Sequence, residues 1–236
     1  MRLVVLASKT ITFSSRFAVR CASYILLDEF LVCAEVRSLM DFVWSHESDF
    51  RPSEVVSAEQ RSKSDLTHRR SMVLLSTGPF QKLIADRIKF YFPYILKGLQ
   101  HTSFEIQEIE TQITASNDGD FFRVHNDSKA AYLPSREITY VYFCHRAPKM
   151  FEGGELNIYD PRLQNGSSQV AVRSPATIIP RQNQIIFFPS AFPHEVLAVR
   201  CPSHAFADSR FTLNGWIHRR WSLSEGSDPA AENWTI

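Results

Sequence analysis

The period of the apolar positions changes near residue 100. From Tyr24 to about Glu47, residues Ile25, Leu26, Phe30, Leu31, Val36, Leu39, Met40, Phe42 and Val43 recur at mixed three- and four-residue steps. From Asp28 onward that spacing predicts an amphipathic helix with acidic residues near its start. Residues 48–72 are polar, rich in Ser and Arg, and end in His68-Arg69-Arg70. They read as a loop running into a strand at Ser71–Leu75. Pro79 opens a second helix, whose stripe of Leu83, Ile84, Ile88, Tyr91 and Phe92 continues past Pro93 to about Leu99.

After Gln100 the pattern shortens to alternating segments at 104–115, 121–125, 136–144, 154–159, 177–179, 184–188, 195–200 and 209–218. Turn signals separate them: Asn117-Asp118-Gly119, Gly153-Gly154, Asn165-Gly166, Pro180 to Asn183, and Pro202-Ser203. About eight short strands without a helical period predict an antiparallel sandwich or barrel. The expected fold is mainly β with N-terminal helices: a double-stranded β-helix, of jelly-roll or cupin-like shape, against which the helices pack. No internal repeat is visible.

Composition narrows the class without naming a partner. With 236 residues, 44% hydrophobic and 22% charged, the chain suits one globular domain. A formal net charge of +1 supplies no global field to select nucleic acid. No apolar run approaches the roughly 20 residues of a membrane span. Cys21, Cys33, Cys144 and Cys201 are too scattered for a disulfide framework or a Cys-x-x-Cys site, and read as thiols. Residues 1–23 are basic, with no acid before Asp28. They form an expected N-terminal extension, either an organelle transit segment or a stretch from an early start codon. The expected domain runs from 24 to 221, with a helical layer at 24–100 and a β core at 101–221, followed by a tail at 222–236.

Candidate chemistry gathers in the β region. His125-Asn126-Asp127 closes the strand-like run from Phe121, and residues two apart on a strand share a face. An imidazole and a carboxylate are thereby delivered together. His194, after Ile185-Ile186-Phe187-Phe188-Pro189, is the candidate third ligand. Two His and one carboxylate leave open positions, as non-haem iron oxygenases require. His145, His204 and His218 are rivals, but none has a carboxylate two residues away. Along Arg210-Phe211-Thr212-Leu213-Asn214-Gly215-Trp216, alternation sets Arg210, Thr212, Asn214 and Trp216 on one face. An arginine aimed into an apolar barrel needs an anion. Its planar fork suits a carboxylate, either one end of a bound dicarboxylate or an internal partner such as Asp208 or Glu195.

In that order, His125-x-Asp127, His194 and Arg210 resemble the 2-oxoglutarate/Fe(II) dioxygenases, and most of all the prolyl 4-hydroxylase-like branch with its free-standing bacterial members. The resemblance spans roughly residues 24–220. Gly119-Asp120-Phe121-Phe122, Gly153-Gly154-Glu155-Leu156, Phe187-Phe188-Pro189-Ser190 and the closing strand from Arg210 to Trp216 also carry it. It implies Fe(II), 2-oxoglutarate and O2, with ascorbate as a reductant, and hydroxylation of a C–H bond with release of succinate and CO2. It also implies His125, Asp127 and His194 as metal ligands, Arg210, Thr139 and Asn214 around the cosubstrate, and Val141, Phe143 and Trp216 in the substrate pocket. Of the two sets on 138–143, the one containing Thr139 is expected to face that pocket, with Tyr140 and Tyr142 packed outward against the helices. Related halogenases replace the carboxylate at the position of Asp127 with a small residue, so its presence favours hydroxylation. The chain departs from the family in having Ser116 where many relatives carry tyrosine, and in the long 16-residue step from His194 to Arg210.

The substrate is not legible. A prolyl residue of a protein or peptide is one expectation; a free amino acid or a natural product is another. A catalytically silent jelly-roll binding domain and a cupin-type metalloenzyme are the rivals from other classes. The stretch Arg61, Lys63, His68, Arg69 and Arg70 reads as a solvated loop, with an acidic peptide as its alternative ligand. Residues 128–136 are a candidate lid. A monomer or homodimer, in the cytoplasm or an organelle, without nucleic acid or membrane as partner, completes the expectation.

Overall fold

The computed structural model describes residues 3–4, 24–56, 62–63, 65–128, 135–161 and 175–220. The basic extension apart from Leu3–Val4, the lid candidate apart from its two ends, the Asn165-Gly166 turn and the C-terminal tail lie outside these residues. The N-terminal half contains β1 (Leu3–Val4), β2 (Ile25–Asp28), α1 (Cys33–Ser45), β3 (Arg51–Pro52), β4 (Val55–Val56), β5 (Ser62–Lys63), β6 (Arg69–Arg70), β7 (Met72–Leu74) and α2 (Phe80–Leu99). There follow β8 (Ile106–Ser116), β9 (Phe121–His125), β10 (Arg136–Cys144), β11 (Glu152–Gly153), β12 (Leu156–Ile158) and β13 (Ala176–Ile178). The last strands are β14 (Gln184–Pro189), β15 (His194–Val196), β16 (Val199–Arg200) and β17 (Arg210–Arg219).

Two antiparallel sheets face each other. The larger has the order β1-β2-β14-β10-β17-β8-β7-β3 and the smaller β13-β12-β15-β9-β6. Helices α1 and α2 cover the outer face of the larger sheet. Ile84 and Ile88 of α2, fully buried, meet Tyr140, Tyr142, Phe187, Leu213 and Ile217 from the strands. A second apolar layer fills the space between the sheets, with Val141, Phe143, Ile186 and Phe188 on one side and Leu156 and Ile158 on the other. Alternation decides which layer each residue joins, because successive side chains on a strand face opposite ways. Each fully buried aliphatic contributes about 1.5–3 kcal/mol. The result is the double-stranded β-helix with a helical layer that the pattern predicts.

Three expectations need correction. Ile25-Leu26-Leu27 is not the approach to a helix but strand β2, which pairs with β14. Its three consecutive apolar residues are all buried, so the segment has no polar face for a helix to turn outward. α1 begins only at Cys33, where Glu35 accepts a hydrogen bond from Val32 N at 2.9 Å and ion-pairs with Arg87 of α2 at 2.9 Å. Residues 24–100 are therefore not a purely helical layer, since β2, β3 and β7 extend the larger sheet. The 195–200 segment is two strands, β15 in the smaller sheet and β16 paired with β11. Finally, the basic stretch is not a plain solvated loop, because Arg69–Arg70 pairs with β9 as the edge of the smaller sheet.

Gly215 is demanded by packing: a Cβ there would run into the carbonyl of Glu110 on β8 and the Tyr140 hydroxyl. Cys33, Cys144 and Cys201 are free thiols. Among the described residues, no helix is long and apolar enough to cross a membrane.

Candidate metal centre and anion pocket

β9 and β15 are direct neighbours, and their register sets His125 opposite His194. Asp127 lies two residues beyond His125, where its backbone N–H donates to Ser190 O at 3.0 Å. That bond folds the chain so that the Asp127 carboxylate faces both imidazoles. His125 Nε2 is 3.6 Å from Oδ1 and His194 Nε2 is 3.4 Å from Oδ2. All three candidate ligand atoms lie within 4.8 Å of one another.

The two rings are fixed in the tautomer a metal needs. His125 Nδ1 is 2.8 Å from Arg123 O, and His194 Nδ1 is 2.9 Å from Phe192 O. A carbonyl only accepts, so Nδ1 carries the proton and Nε2 keeps its lone pair for the metal. Burial, with the neighbouring His194, pushes the His125 imidazole down to about 3, so it is a neutral ligand. Burial alone would raise the Asp127 carboxyl. The two imidazoles and the Thr139 hydroxyl outweigh it and hold the group ionised. Two imidazole nitrogens and one carboxylate oxygen on one side of a cleft fit a six-coordinate iron(II) with positions to spare.

The cleft lies between the sheets and measures about 630 Å³ with its open mouth included. From β8 it takes Gln112, Thr114 and Ser116, from β10 Thr139 and Val141, and from β17 Arg210, Thr212, Asn214 and Trp216. Cross-strand register orders these into rungs: Thr139 beside Trp216, Val141 beside Asn214 and Gln112, and Phe143 beside Thr212 and Thr114. Thr139 and Val141 thus line the cleft, Phe143 lies on the same side of the sheet, and Tyr140 and Tyr142 pack toward the helices.

Arg210 is 2% exposed and stands at the far end. Its Nε donates to Gly154 O at 2.8 Å, and its guanidinium carbon lies 5.3 Å from the centre of the Phe143 ring. Nη2 is buried without a hydrogen-bond partner. Neither internal acid answers it: Asp208 pairs with Arg146 at 2.7 Å, and Glu195 accepts from Tyr159 at 2.6 Å. Burial draws the guanidinium down to about 10. A buried cation with an idle donor in the wall of a cleft is built to receive an anion.

Other expected positions move. The Thr139 hydroxyl donates to Asp127 Oδ2 at 2.7 Å and lies 3.0 Å from Ser190 Oγ, so it supports a candidate ligand and does not point at a cosubstrate. Phe143 lies beneath Arg210 in the apolar layer and does not line the cleft. Asn214 lines it, its Oδ1 accepting from Thr114 at 2.8 Å. Trp216 lines it too, with the Arg136 guanidinium carbon 3.4 Å from its ring centre. The sequence reading missed Gln112, Thr114, Phe121 and Phe122 as cleft residues, and named Arg69 only within the basic stretch, read as a solvated loop with an acidic peptide as its alternative ligand. The polar parity of 112, 114 and 116 within an apolar strand was a usable signal for the β8 set. Nothing local distinguished Arg69 from its basic neighbours.

A profile of the 2OG-Fe(II) oxygenase superfamily matches residues 111–218, which contain the whole constellation. An uncharacterized PKHD-type hydroxylase of Synechocystis sp. is 45% identical over 169 residues, 69% of this chain and 55% of the relative. The chain thus spans about half the length of that protein. Among solved structures, the Pseudomonas putida prolyl-4-hydroxylase superposes with a TM-score of 0.60 at 18% identity, covering 84% of this chain and 94% of that one. A Trichoplax adhaerens prolyl hydroxylase, in complex with a hypoxia inducible factor peptide fragment, gives 0.61 at 15% identity and 84% of each chain. The viral collagen prolyl hydroxylase of Paramecium Bursaria Chlorella virus-1, as a 2OG complex, gives 0.52 at 16% identity, with 84% and 97% covered. These likenesses establish the shared fold. The double-stranded β-helix with its His-x-Asp and distant His defines a class of non-haem iron oxygenases. Within it, residues 111–218 carry the pattern of the 2OG-Fe(II) oxygenase superfamily, which is named for its metal, Fe(II), and its cosubstrate, 2-oxoglutarate, and the chain is similar to a PKHD-type hydroxylase over the longer match.

Proposed function

We propose that the chain is a hydroxylase that uses Fe(II), 2-oxoglutarate and O2 to convert a C–H bond of a protein or peptide, with a prolyl residue as the first target to test. The observation that carries this reading is Arg210, a buried guanidinium with an unpartnered Nη2 in the same cleft as His125, Asp127 and His194. A metal site alone would fit a cupin; a metal site facing an idle cation fits a keto acid held at both ends.

In this reading His125, Asp127 and His194 hold the iron, and Arg210 takes the far carboxylate of 2-oxoglutarate. When bound, iron and 2-oxoglutarate supply, with O2, the oxidant that turns C–H into C–OH and yields succinate and CO2. The protein's share is positional. Thr139 and the Ser190 carbonyl fix the carboxylate and backbone of Asp127, and the Arg123 and Phe192 carbonyls fix the two rings. Phe121, Phe122, Val141, Leu156 and Val196 give the cleft an apolar wall that keeps water from the reacting bond. The peptide substrate is supported by the Trichoplax relative, whose structure holds a peptide.

The test combines succinate formation with mass spectrometry for the gain of one oxygen across a panel of proline-containing peptides. Product should require Fe(II), O2 and 2-oxoglutarate together and vanish in His125→Ala. Full turnover in that variant, or no succinate from the wild type under any condition, would refute the assignment.

A further inference from the structure

A second guanidinium lines the cleft near the candidate metal ligands. Arg69 lies on the edge strand β6, opposite Phe122 of β9. Its guanidinium carbon is 4.6 Å from the Phe122 ring centre, and the same ring stacks on His125 with centroids 3.5 Å apart. One aromatic ring thus separates the cation from a candidate metal ligand. Nε donates to Ser71 Oγ at 3.0 Å, and Ser71 passes the chain on to Ser53 at 2.8 Å, which fixes the fork's direction. The two terminal nitrogens donate to no described residue, and no described acid forms an ion pair with Arg69. Its neighbour Arg70 behaves differently: it points the other way along the strand, is half exposed and meets Asp120 at 3.7 Å.

Charge in the cleft explains what Arg69 is for. Its described charged lining consists of Arg69, Arg210 and Asp127, with His125 neutral. Iron(II), Arg69 and Arg210, set against Asp127 and both carboxylates of 2-oxoglutarate, leave one positive charge over. Arg210 serves the cosubstrate in the proposed function, and Asp127 faces the two imidazoles. Arg69 is therefore a fork held in place on the cleft wall, partly buried, with no described acid in ion-pair contact and only the field of Asp127 acting on its charge. A merely structural brace for Phe122 would be served as well by an apolar side chain, which carries no desolvation cost.

We infer that Arg69 binds a carboxylate of the primary substrate, so that the group hydroxylated belongs to a molecule bearing an anion close to the target C–H bond. The candidates are a peptide with an Asp or Glu side chain next to the modified residue, or one modified next to its free C-terminus. This inference rests on the proposed hydroxylase reading and deepens it by naming the substrate class.

The experiment uses the chain loaded with Mn(II) and 2-oxoglutarate under anaerobic conditions. The probes are N-acetyl dipeptides carrying a free C-terminal carboxylate or an Asp or Glu side chain, each beside its uncharged amide counterpart. Binding is read by titration calorimetry, and closeness to the site by the relaxation that Mn(II) imposes on probe protons. One or two charge-assisted hydrogen bonds predict that acids bind about tenfold to a hundredfold more tightly than amides. Arg69→Met, which keeps an apolar contact on Phe122, should abolish that preference and leave 2-oxoglutarate binding unchanged; Arg69→Lys should keep part of it. Equal binding of acids and amides, no binding of any acid, or an undiminished preference in Arg69→Met would overturn the inference. So would a loss of 2-oxoglutarate affinity in Arg69→Met with acids and amides treated alike. Failure of 2-oxoglutarate itself to bind the Mn(II)-loaded wild type removes the hydroxylase reading, and this inference with it. Normal 2-oxoglutarate binding without the acid preference removes this inference alone.

Discussion

Replacing Arg210 with methionine should make the empty protein more stable while removing its hold on 2-oxoglutarate. Burial draws the guanidinium well below its ordinary value, to about 10, and the group is 2% exposed. At about 1.4 kcal/mol per pH unit, the folded state carries a penalty of about 3 kcal/mol for keeping the charge. Methionine fills a similar length without that penalty. Against the gain stand the lost hydrogen bond to Gly154 O, about 1 kcal/mol, and the contact with Phe143, about 0.5–1 kcal/mol. The net expectation is a stabilisation of about 1–2 kcal/mol, a rise of a few degrees in Tm for a chain of this size. Saturating 2-oxoglutarate with Mn(II) should raise the Tm of the wild type, because a ligand that binds only the folded state stabilises it by mass action. The variant should show no such rise. Thermal unfolding with and without cosubstrate reads both effects in one plate. A variant that melts several degrees below the wild type yet still responds to 2-oxoglutarate would mean that Arg210 is a structural cation whose partner lies elsewhere, and the reasoning would fail.

Three further outcomes follow from the same geometry. Gly154 has φ +67°, and a Cβ there would lie 2.6 Å from Arg210 Cδ. Gly154→Ala should therefore weaken 2-oxoglutarate binding at least tenfold by displacing the guanidinium, while Mn(II) affinity in titration stays within about twofold. Thr139→Val removes the donor to Asp127 Oδ2 and should weaken Mn(II) binding about 10–100-fold with a modest loss of stability; unchanged metal affinity would contradict the supporting role. His101 and Glu137 meet at 3.2 Å, with both side chains mostly buried. The hydrogen bond to Glu137 raises His101 above 6.5, and the hydrogen bond to His101 lowers Glu137 below 4.5. A raised histidine stabilises below its unfolded value and loses that contribution as pH rises through its folded value. A depressed carboxylate stabilises above its unfolded value and loses it as pH falls. The pair should thus contribute most between about pH 4.5 and 6.5, roughly 1 kcal/mol. The Tm difference between wild type and His101→Gln should peak in that window and shrink on either side, whereas a pH-independent difference would rule the pair out.

Much of the architecture was legible because strands longer than five residues carry their own parity. β8, β10, β14 and β17 alternate or run apolar in the sequence, and each lies within two residues of its expected bounds. α2 announced itself through Pro79 and a stripe that repeats over five turns. The failures concern pieces too short to have a period. β2 is four residues long, and β3, β4, β5, β6, β11 and β16 are two. They exist because a neighbouring strand offers an edge, and that edge belongs to the tertiary structure. Ile25-Leu26-Leu27 belongs to β14 in this sense, since the pairing, not the local preference, decides its conformation.

The candidate site divides along the same line. His125 and Asp127 could be read together because two residues on a strand share a face. Arg210 could be read because its strand alternates. The groups that set their geometry were invisible. Ser190 acts on Asp127 through a backbone carbonyl, and Arg123 and Phe192 act on the imidazoles in the same way, so their side chains carry no signal. Arg69 sat in plain view within a basic stretch, but only its pairing with Phe122 distinguishes it from the solvated Arg70.

Register also fixes what length of cosubstrate the cleft can accept. Asp127 is tied to the rung of Thr139, and the Arg210 guanidinium stands over the rung of Phe143, four residues further along β10. Four residues of strand span about 13 Å, with the rung of Val141, Asn214 and Gln112 at the midpoint. The metal ligands reach in from one end and the long arginine side chain from the other, which leaves between them the length of a short dicarboxylate. A slip of β17 by one residue against β10 would turn Arg210, Thr212, Asn214 and Trp216 out of the cleft together. Tyr140 holds that register, packed into the helix-facing core with its hydroxyl donating to Glu110 O at 2.9 Å, and so does Gly215, the one residue type that fits where β17 passes the Glu110 carbonyl. Under the proposed reading, the specificity for a five-carbon diacid is thus written into the helix-facing side of the sheet, on residues that never touch the ligand.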